Sequence, residues 1–212
     1  MVPNLYPALE RQEVVVHTPR HLRSIGELDD VELERVAEAW RRRRETVPGG
    51  YLHALVNEGR DAGSSLPHTH SQLAWLPEST PETQHSVERE RWSVVCERDG
   101  LVLACPYASR VPYECVVAPS SPRADAFGDE RLGAALGLVA EAIRRIRTVA
   151  GPPPLNLWLH DSVDWHFELL PRLTVLAGLE LGAAVYLNPL APEAAAGELR
   201  AAATEPPPPA SS

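Results

Sequence analysis

Cysteine is scarce: three residues in 212, an odd number. The spacings of Cys96, Cys105 and Cys115 fit neither a disulfide framework nor a zinc knuckle. Each sits in an apolar, strand-like stretch and reads as a reduced core thiol. Long apolar runs are also missing. None approaches the roughly 20 residues that a membrane span needs. The opening MVPNLYPALERQ has no basic region followed by an apolar stretch, the pattern of a secretory signal, so the expected location is cytoplasmic. Positive charge is in short supply, with 20 Lys and Arg against 29 Asp and Glu and a net charge of −9. That balance excludes a general electrostatic grip on nucleic acid or an anionic membrane, and still allows one anion in a local pocket.

What is present is ordinary for a globular chain: 44% hydrophobic and 23% charged residues, enough length for one large domain or two small ones. Proline, at 21 residues, runs at about twice the background. Four prolines fall in residues 204–212 (TEPPPPASS), which are expected to form a disordered tail.

Periodicity divides the rest. Residues 13–17 (EVVVH) read as a strand, since consecutive valines suit a pleated surface better than a helix. Leu33, Val36, Ala37 and Trp40 mark one face of a helix from Asp29 to Glu45, closed by Pro48, Gly49 and Gly50. The run Arg41 to Arg44 complements the dipole at its C-terminal end. Residues 51–57 (YLHALVN) read as a strand. A polar stretch at 77–90 with two prolines is the expected connection between halves. The same grammar then returns: a hairpin of 92–96 and 101–105 around Asp99-Gly100, a strand at 113–118, and a helix through Leu132, Leu136, Val139, Ile143 and Ile146. Strands at 155–159 and 165–170 complete it. Each half has the order strand, Pro-Arg pair, helix, strand, histidine-bearing strand, with His68-Thr69-His70 opposite Asp164-Trp165-His166. This reads as an internal duplication, with half-units at 1–78 and 79–203.

The chemistry-bearing stretch is His68-Thr69-His70-Ser71-Gln72. Strand alternation sends His68, His70 and Gln72 to one face. A single His on an apolar strand is ordinarily a hydrogen-bonded core residue. Two with a Gln, preceded by Gly63-Ser64-Ser65, make a phosphate site: the Gly/Ser turn can aim N–H groups at an anion, a neutral imidazole can attack phosphorus near pH 7, and an amide can steady the phosphoryl oxygens.

These residues resemble the HxHxQ signature of the galactose-1-phosphate uridylyltransferase branch of the histidine-triad superfamily. The resemblance extends to Asn4-Leu5-Tyr6-Pro7-Ala8-Leu9, Leu170-Pro171-Arg172-Leu173-Thr174 and Ala177-Gly178-Leu179-Glu180-Leu181-Gly182. It implies an α+β fold of two tandem histidine-triad-like units, each an antiparallel sheet with a long amphipathic helix. The implied reaction is transfer of UMP between UDP-glucose and galactose 1-phosphate through a covalent uridylyl-histidine. His70 matches the nucleophile and Gln72 the phosphoryl-steadying amide. Asn4 and Asn57 match positions near uridine and phosphates, Gly63 and Ser65 the phosphate loop. Glu180 matches a sugar-contacting carboxylate, often placed across a homodimer interface, though a solvated strand-end Glu is an equal reading.

The resemblance also implies zinc, with an incomplete ligand set. His21 and His68 match two ligands of a structural site whose other two, a CxxC pair, would stand before Asn4. His160, Asp164 and His166 match a second metal site, against a packed, hydrogen-bonded role for the same residues. Two other readings stay open: a related nucleotide phosphorylase or adenylyltransferase, and a non-catalytic nucleotide-binding remnant.

Overall fold

The computed structural model describes residues 2–3, 7–84 and 87–202. Nine strands form one antiparallel sheet in the order β1-β2-β4-β3-β8-β9-β7-β6-β5. They are β1 (Val2–Pro3), β2 (Gln12–Val16), β3 (Tyr51–Glu58), β4 (His70–Leu76), β5 (Ser93–Arg98), β6 (Leu101–Cys105), β7 (Cys115–Pro119), β8 (Leu155–His160) and β9 (His166–Pro171). The helices are α1 (Asp30–Thr46), α2 (Leu132–Ala150), α3 (Gly178–Ala183) and α4 (Pro192–Ala201). The fold is therefore α+β and antiparallel, as the sequence implies. The expected two sheets are one, joined where β3 pairs with β8 through Leu55↔Trp158 and Asn57↔Asn156.

The strand order is symmetric about its middle. Around the β3–β8 seam, β2-β4-β3 in one half faces β8-β9-β7 in the other, each set having the same pairing in reverse order. The backbone contacts repeat as well: Thr69 N–H donates to Leu22 O at 2.9 Å, and Trp165 N–H donates to Arg123 O at 2.8 Å.

One face of the sheet carries the helices. α1 starts at a capping box in which Asp29 accepts from Glu32 N–H and Glu32 from Asp29 N–H, satisfying two orphan donors of the first turn. Its stripe of Leu33, Val36, Ala37 and Trp40 is buried against the sheet and α2. Trp40 is fully enclosed and donates its indole N–H to Ser71 Oγ at 2.9 Å. This fixes Ser71, Leu73 and Trp75 of β4 on the helix side, all buried. His70 and Gln72 then take the opposite, open face. α1 and α2 approach closely at Gly133, where a Cβ would collide with the Glu34 side chain.

Some local expectations change. β4 begins at His70, so His68 lies in the turn before it. Glu180 lies in the short helix α3 and not at a strand end. α4 has no counterpart among the expected elements; its Ala195, Ala196 and Leu199 are buried in the common core. The three cysteines carry free thiols, Cys105 and Cys115 buried and Cys96 partly so. The tail expected at 204–212 lies outside the described residues, as does Asn4.

Candidate active site

His70 opens β4, with 4% of its surface exposed. Its Nδ1 lies 2.8 Å from His68 O. A carbonyl oxygen only accepts, so Nδ1 carries a proton, and in the neutral ring the lone pair is on Nε2. The imidazole is thus held in the tautomer that makes Nε2 a nucleophile. His68 is turned away: its Nε2 donates to Thr18 O at 2.8 Å, and its ring meets His21 edge-on with centroids 6.1 Å apart.

Gln72, two residues along β4, shares the open face. Its Oε1 accepts from Gln12 Nε2 at 2.5 Å, and its Nε2 makes no hydrogen bond among the described residues. Asn57 approaches from β3. Its Oδ1 accepts from Asn156 Nδ2 at 2.8 Å, and the same Nδ2 donates to Ala62 O at 2.9 Å. The remaining amide nitrogen, Nδ2 of Asn57, faces the loop, within 3.9 Å of where a Gly63 Cβ would stand. That loop turns through Gly63 at φ +86°, a backbone conformation that favours glycine. It is closed by Ser64 N–H donating to Gly59 O at 3.1 Å, and Ser65 is exposed on it. Amide donors from two strands and a solvent-facing turn therefore flank the imidazole that holds the lone pair.

The sequence marks His17 only as the last residue of a strand, yet it belongs to this cluster. It lies just past β2, 6% exposed, with Nδ1 2.9 Å from Thr69 Oγ1 and Nε2 buried without a hydrogen-bond partner among the described residues. Burial, then the neighbouring His70 and His68, push its pKa down to about 3, so it is neutral throughout the physiological range. Gln12 and Asn156 are further residues that the sequence reading missed. Strand parity could have found Gln12, because Val14 is register partner to Gln72 and Gln12 shares its face.

Glu180 lies in α3, where its carboxylate accepts from Ala177 N–H at 2.9 Å, a bond that lowers its pKa. No contact joins it to His70 among the described residues.

For metals, the two expected sets behave differently. Around His21 and His68, no third His, Cys, Asp or Glu ligand atom completes a cluster among the described residues. That set does not fit tetrahedral zinc, which needs four ligands. In the second half, His160 and His166 stack with centroids 4.4 Å apart. Their carboxylate is Glu168, not Asp164: ligand atoms of His160, His166 and Glu168 lie within 4.8 Å of one another, all three residues buried. Asp164 is turned to Arg89, whose Nε donates to Oδ2 at 2.7 Å. Two imidazoles and a carboxylate suit a divalent transition metal. Beside them lies a cavity of about 840 Å³, walled by His53, Trp92, Arg110, Glu114, Trp158 and Glu168 among others, but by neither His70 nor Gln72.

The chain is similar to known proteins along most of its length. A family model for the N-terminal domain of galactose-1-phosphate uridyl transferase matches residues 8–81. The ADP-glucose phosphorylase of Arabidopsis thaliana is 23% identical over 94% of this chain and 73% of its own length. The galactose-1-phosphate uridylyltransferase of Thermotoga maritima is 22% identical over 89% of this chain and 73% of its own. Among solved structures, the Arabidopsis ADP-glucose phosphorylase with bound ADP-glucose superposes with a TM-score of 0.84 at 22% identity, covering 93% of this chain and 80% of that one. A uridylyltransferase structure gives 0.82 at 23%, covering 95% and 84%.

Proposed function

We propose that this chain, which resembles the galactose-1-phosphate uridylyltransferase-like family of the histidine-triad superfamily, moves a nucleoside monophosphate from a nucleotide sugar through a covalent nucleotidyl-histidine at His70. The observation that carries the proposal is the hydrogen bond from His70 Nδ1 to His68 O at 2.8 Å, which puts the lone pair of the neutral ring on Nε2, in a side chain that shares a face with Gln72.

Nε2 attacks the α-phosphorus, an N–P bond forms, and the P–O bond to the departing sugar 1-phosphate breaks. The leaving group is a stable anion that needs no strong acid, so an amide donor at Gln72 suffices to steady the phosphoryl oxygens. An incoming phosphate oxygen then attacks phosphorus, breaks the N–P bond and returns the imidazole. Asn57 and the turn through Gly63 and Ser65 would hold the remaining phosphate oxygens, in keeping with a chain whose net charge of −9 offers no basic surface for the purpose.

The donor is proposed to be UDP-glucose and the acceptor galactose 1-phosphate. A second reading, ADP-glucose split by inorganic phosphate, is favoured by the similarity to the plant ADP-glucose phosphorylase over 94% of this chain. Both run through the same histidine. A homodimer is proposed as well: Val175, Leu179, Leu181, Val185 and Leu187 are exposed in succession around α3, with Val175 at 91%, an apolar run of the kind that marks an association surface. Among the described residues no helix is long and apolar enough to cross a membrane, and nucleotide-sugar substrates fit a cytoplasmic setting.

The test is to expose the protein to UDP-glucose or ADP-glucose labelled on the α-phosphate, quench in base, and map the label by mass spectrometry. Label on His70 that galactose 1-phosphate discharges as UDP-galactose supports the first reading, and discharge by phosphate as ADP supports the second. Absence of label from both donors, or label undiminished in His70→Ala, overturns the proposal in favour of a non-catalytic nucleotide-binding protein.

A further inference from the structure

A glutamine that steadies a phosphoryl group must present its NH₂ end, since its carbonyl would repel the phosphate oxygens. The two ends of an amide are nearly the same size, so shape alone does not choose between them. The choice at Gln72 is made one residue further out. Ala8 N–H, which can only donate, lies 2.9 Å from Gln12 Oε1. That fixes the carbonyl end of Gln12 toward Ala8 and its NH₂ end toward Gln72, where Nε2 lies 2.5 Å from Oε1. Were Gln72 reversed, two NH₂ groups would face each other at that distance. We infer that Gln12 is a positioning residue: it reads the direction of a backbone N–H and transmits it to Gln72, so that Gln72 Nε2 is left for the phosphoryl oxygens.

Asn57 is held by the same device. Ala62 O, which can only accept, fixes Asn156 Nδ2, and that nitrogen in turn fixes Asn57 Oδ1. Two substrate-facing amides on two strands are each oriented by an outer amide tied to a backbone group of known polarity. Gln12 is half-buried and its side chain has no other hydrogen bond among the described residues, so its contacts serve this relay alone.

The inference rests on the function proposed for His70 and Gln72, and its test separates the two. Gln12→Glu is isosteric but has no donor. One carboxylate oxygen still accepts from Ala8 N–H, and the other now faces Gln72, which must turn its NH₂ end outward to it and its carbonyl toward the phosphate. Gln12→Ala merely releases Gln72. The isosteric change is therefore expected to be the more harmful. For nucleotidyl transfer, kcat falls by about a hundredfold in Gln12→Glu, the scale of losing one transition-state donor, and by only about two- to fivefold in Gln12→Ala. A packing role predicts the reverse order. The charge that Gln12→Glu adds would act on KM, whereas the turned amide acts on kcat, and in a Gln72→Ala background Gln12→Glu should lower kcat no further.

A second measurement does not depend on turnover. In ¹⁵N-labelled protein, with side-chain amides assigned through Gln12→Ala and Gln72→Ala, the Gln12 NH₂ should show one slowly exchanging proton and the Gln72 NH₂ none. Protection of Gln72 in the unaltered protein, or equal kcat in Gln12→Glu and Gln12→Ala, overturns the inference. If the unaltered protein transfers from neither UDP-glucose nor ADP-glucose, the proposed function fails, and the amide spectrum alone decides the orientation of Gln72.

Discussion

Acid should weaken this fold through His17, and the size of the effect can be worked out. The ring is enclosed, its Nδ1 is occupied by Thr69 Oγ1, and its Nε2 has no hydrogen-bond partner among the described residues. Protonation would place a positive N–H where nothing accepts it, beside two more imidazoles. The native pKa is accordingly about 3 against an ordinary 6.5. Between those values the unfolded chain binds the proton and the folded one does not. Stability from this group is therefore complete above pH 6.5 and is lost as pH falls toward 3. From pH 7.5 to 5.0 the loss comes to about 2 kcal/mol, since each unit of displacement corresponds to about 1.4 kcal/mol.

Other groups slope the opposite way. Burial raises the pKa of Glu58, Glu114 and Asp161, so those residues favour the folded state as pH falls. The test must isolate His17 by difference. Urea unfolding of the unaltered protein and of His17→Gln at both pH values should show the variant losing about 2 kcal/mol less than the parent on acidification. Equal losses in the two proteins would refute the argument. A ring that is protonated in the folded state at pH 5 would give that result.

Three further outcomes follow from geometry. Gly50→Ala should destabilise by about 2 kcal/mol in chemical unfolding, because Gly50 has φ +67° and its Cβ would stand 2.5 Å from Leu76 O. Trp40→Phe should cost about 1–3 kcal/mol for leaving the buried Ser71 hydroxyl without its indole donor, and adding Ser71→Ala should recover part of that loss. Zinc added to chelator-treated protein should raise the thermal midpoint, by an amount corresponding to about 2.7 kcal/mol at a hundredfold excess over Kd. Glu168→Gln or His166→Ala should abolish that rise, whereas a response carried by His21 and His68 would survive both substitutions.

Helices α1 and α2 and strands β2 to β9 were legible from their periods and from the signals that bound some of them: Asp29 ahead of Leu33, Gly49-Gly50 behind Trp40, Asp99-Gly100 between β5 and β6. The pairing of the two halves into one sheet was not, because Leu55↔Trp158 and Asn57↔Asn156 are contacts about 100 residues apart between strands with no complementary signature. α4 was missed because an alanine-rich stretch has a weak apolar stripe, although Leu199 and two alanines are enclosed. At the site, strand alternation places His70 and Gln72 on one face, and the structure keeps them there. Strand parity places Gln12 beside Gln72, but the end of the amide that each of Gln12 and Asn156 presents is set by its neighbours, Ala8 N–H and Ala62 O, and no spacing carries that. Strand alternation puts His68 on the face of His70 only if β4 starts two residues earlier than it does, and the resemblance that suggests Asp164 as a ligand carries no information on its pairing with Arg89.

The two halves carry the same construction, and they differ both in one residue type and in its surroundings. His166 Nδ1 donates to Asp164 O at 2.9 Å, repeating the bond that sets the tautomer of His70. Two residues further along the strand, where the first half has Gln72, the second has Glu168. A carboxylate there has no proton to give a phosphoryl oxygen and repels it, and this one is instead tied to Arg110 and lies 3.0 Å from His160 Nε2. It is tempting to regard the charge as the only barrier, so that Glu168→Gln would open a second nucleotidyl site. The surroundings argue otherwise. His166 is fully enclosed and stacked on His160, and β9 is entered through Ser162, Val163 and Asp164 with no glycine turn like the one at Gly63. In a His70→Ala, Glu168→Gln double variant, labelled nucleotide sugar should therefore leave no label on His166. Label at that position would show that the charge of Glu168 alone keeps the second half silent, and that the enclosure of His166 opens readily enough to admit a phosphate.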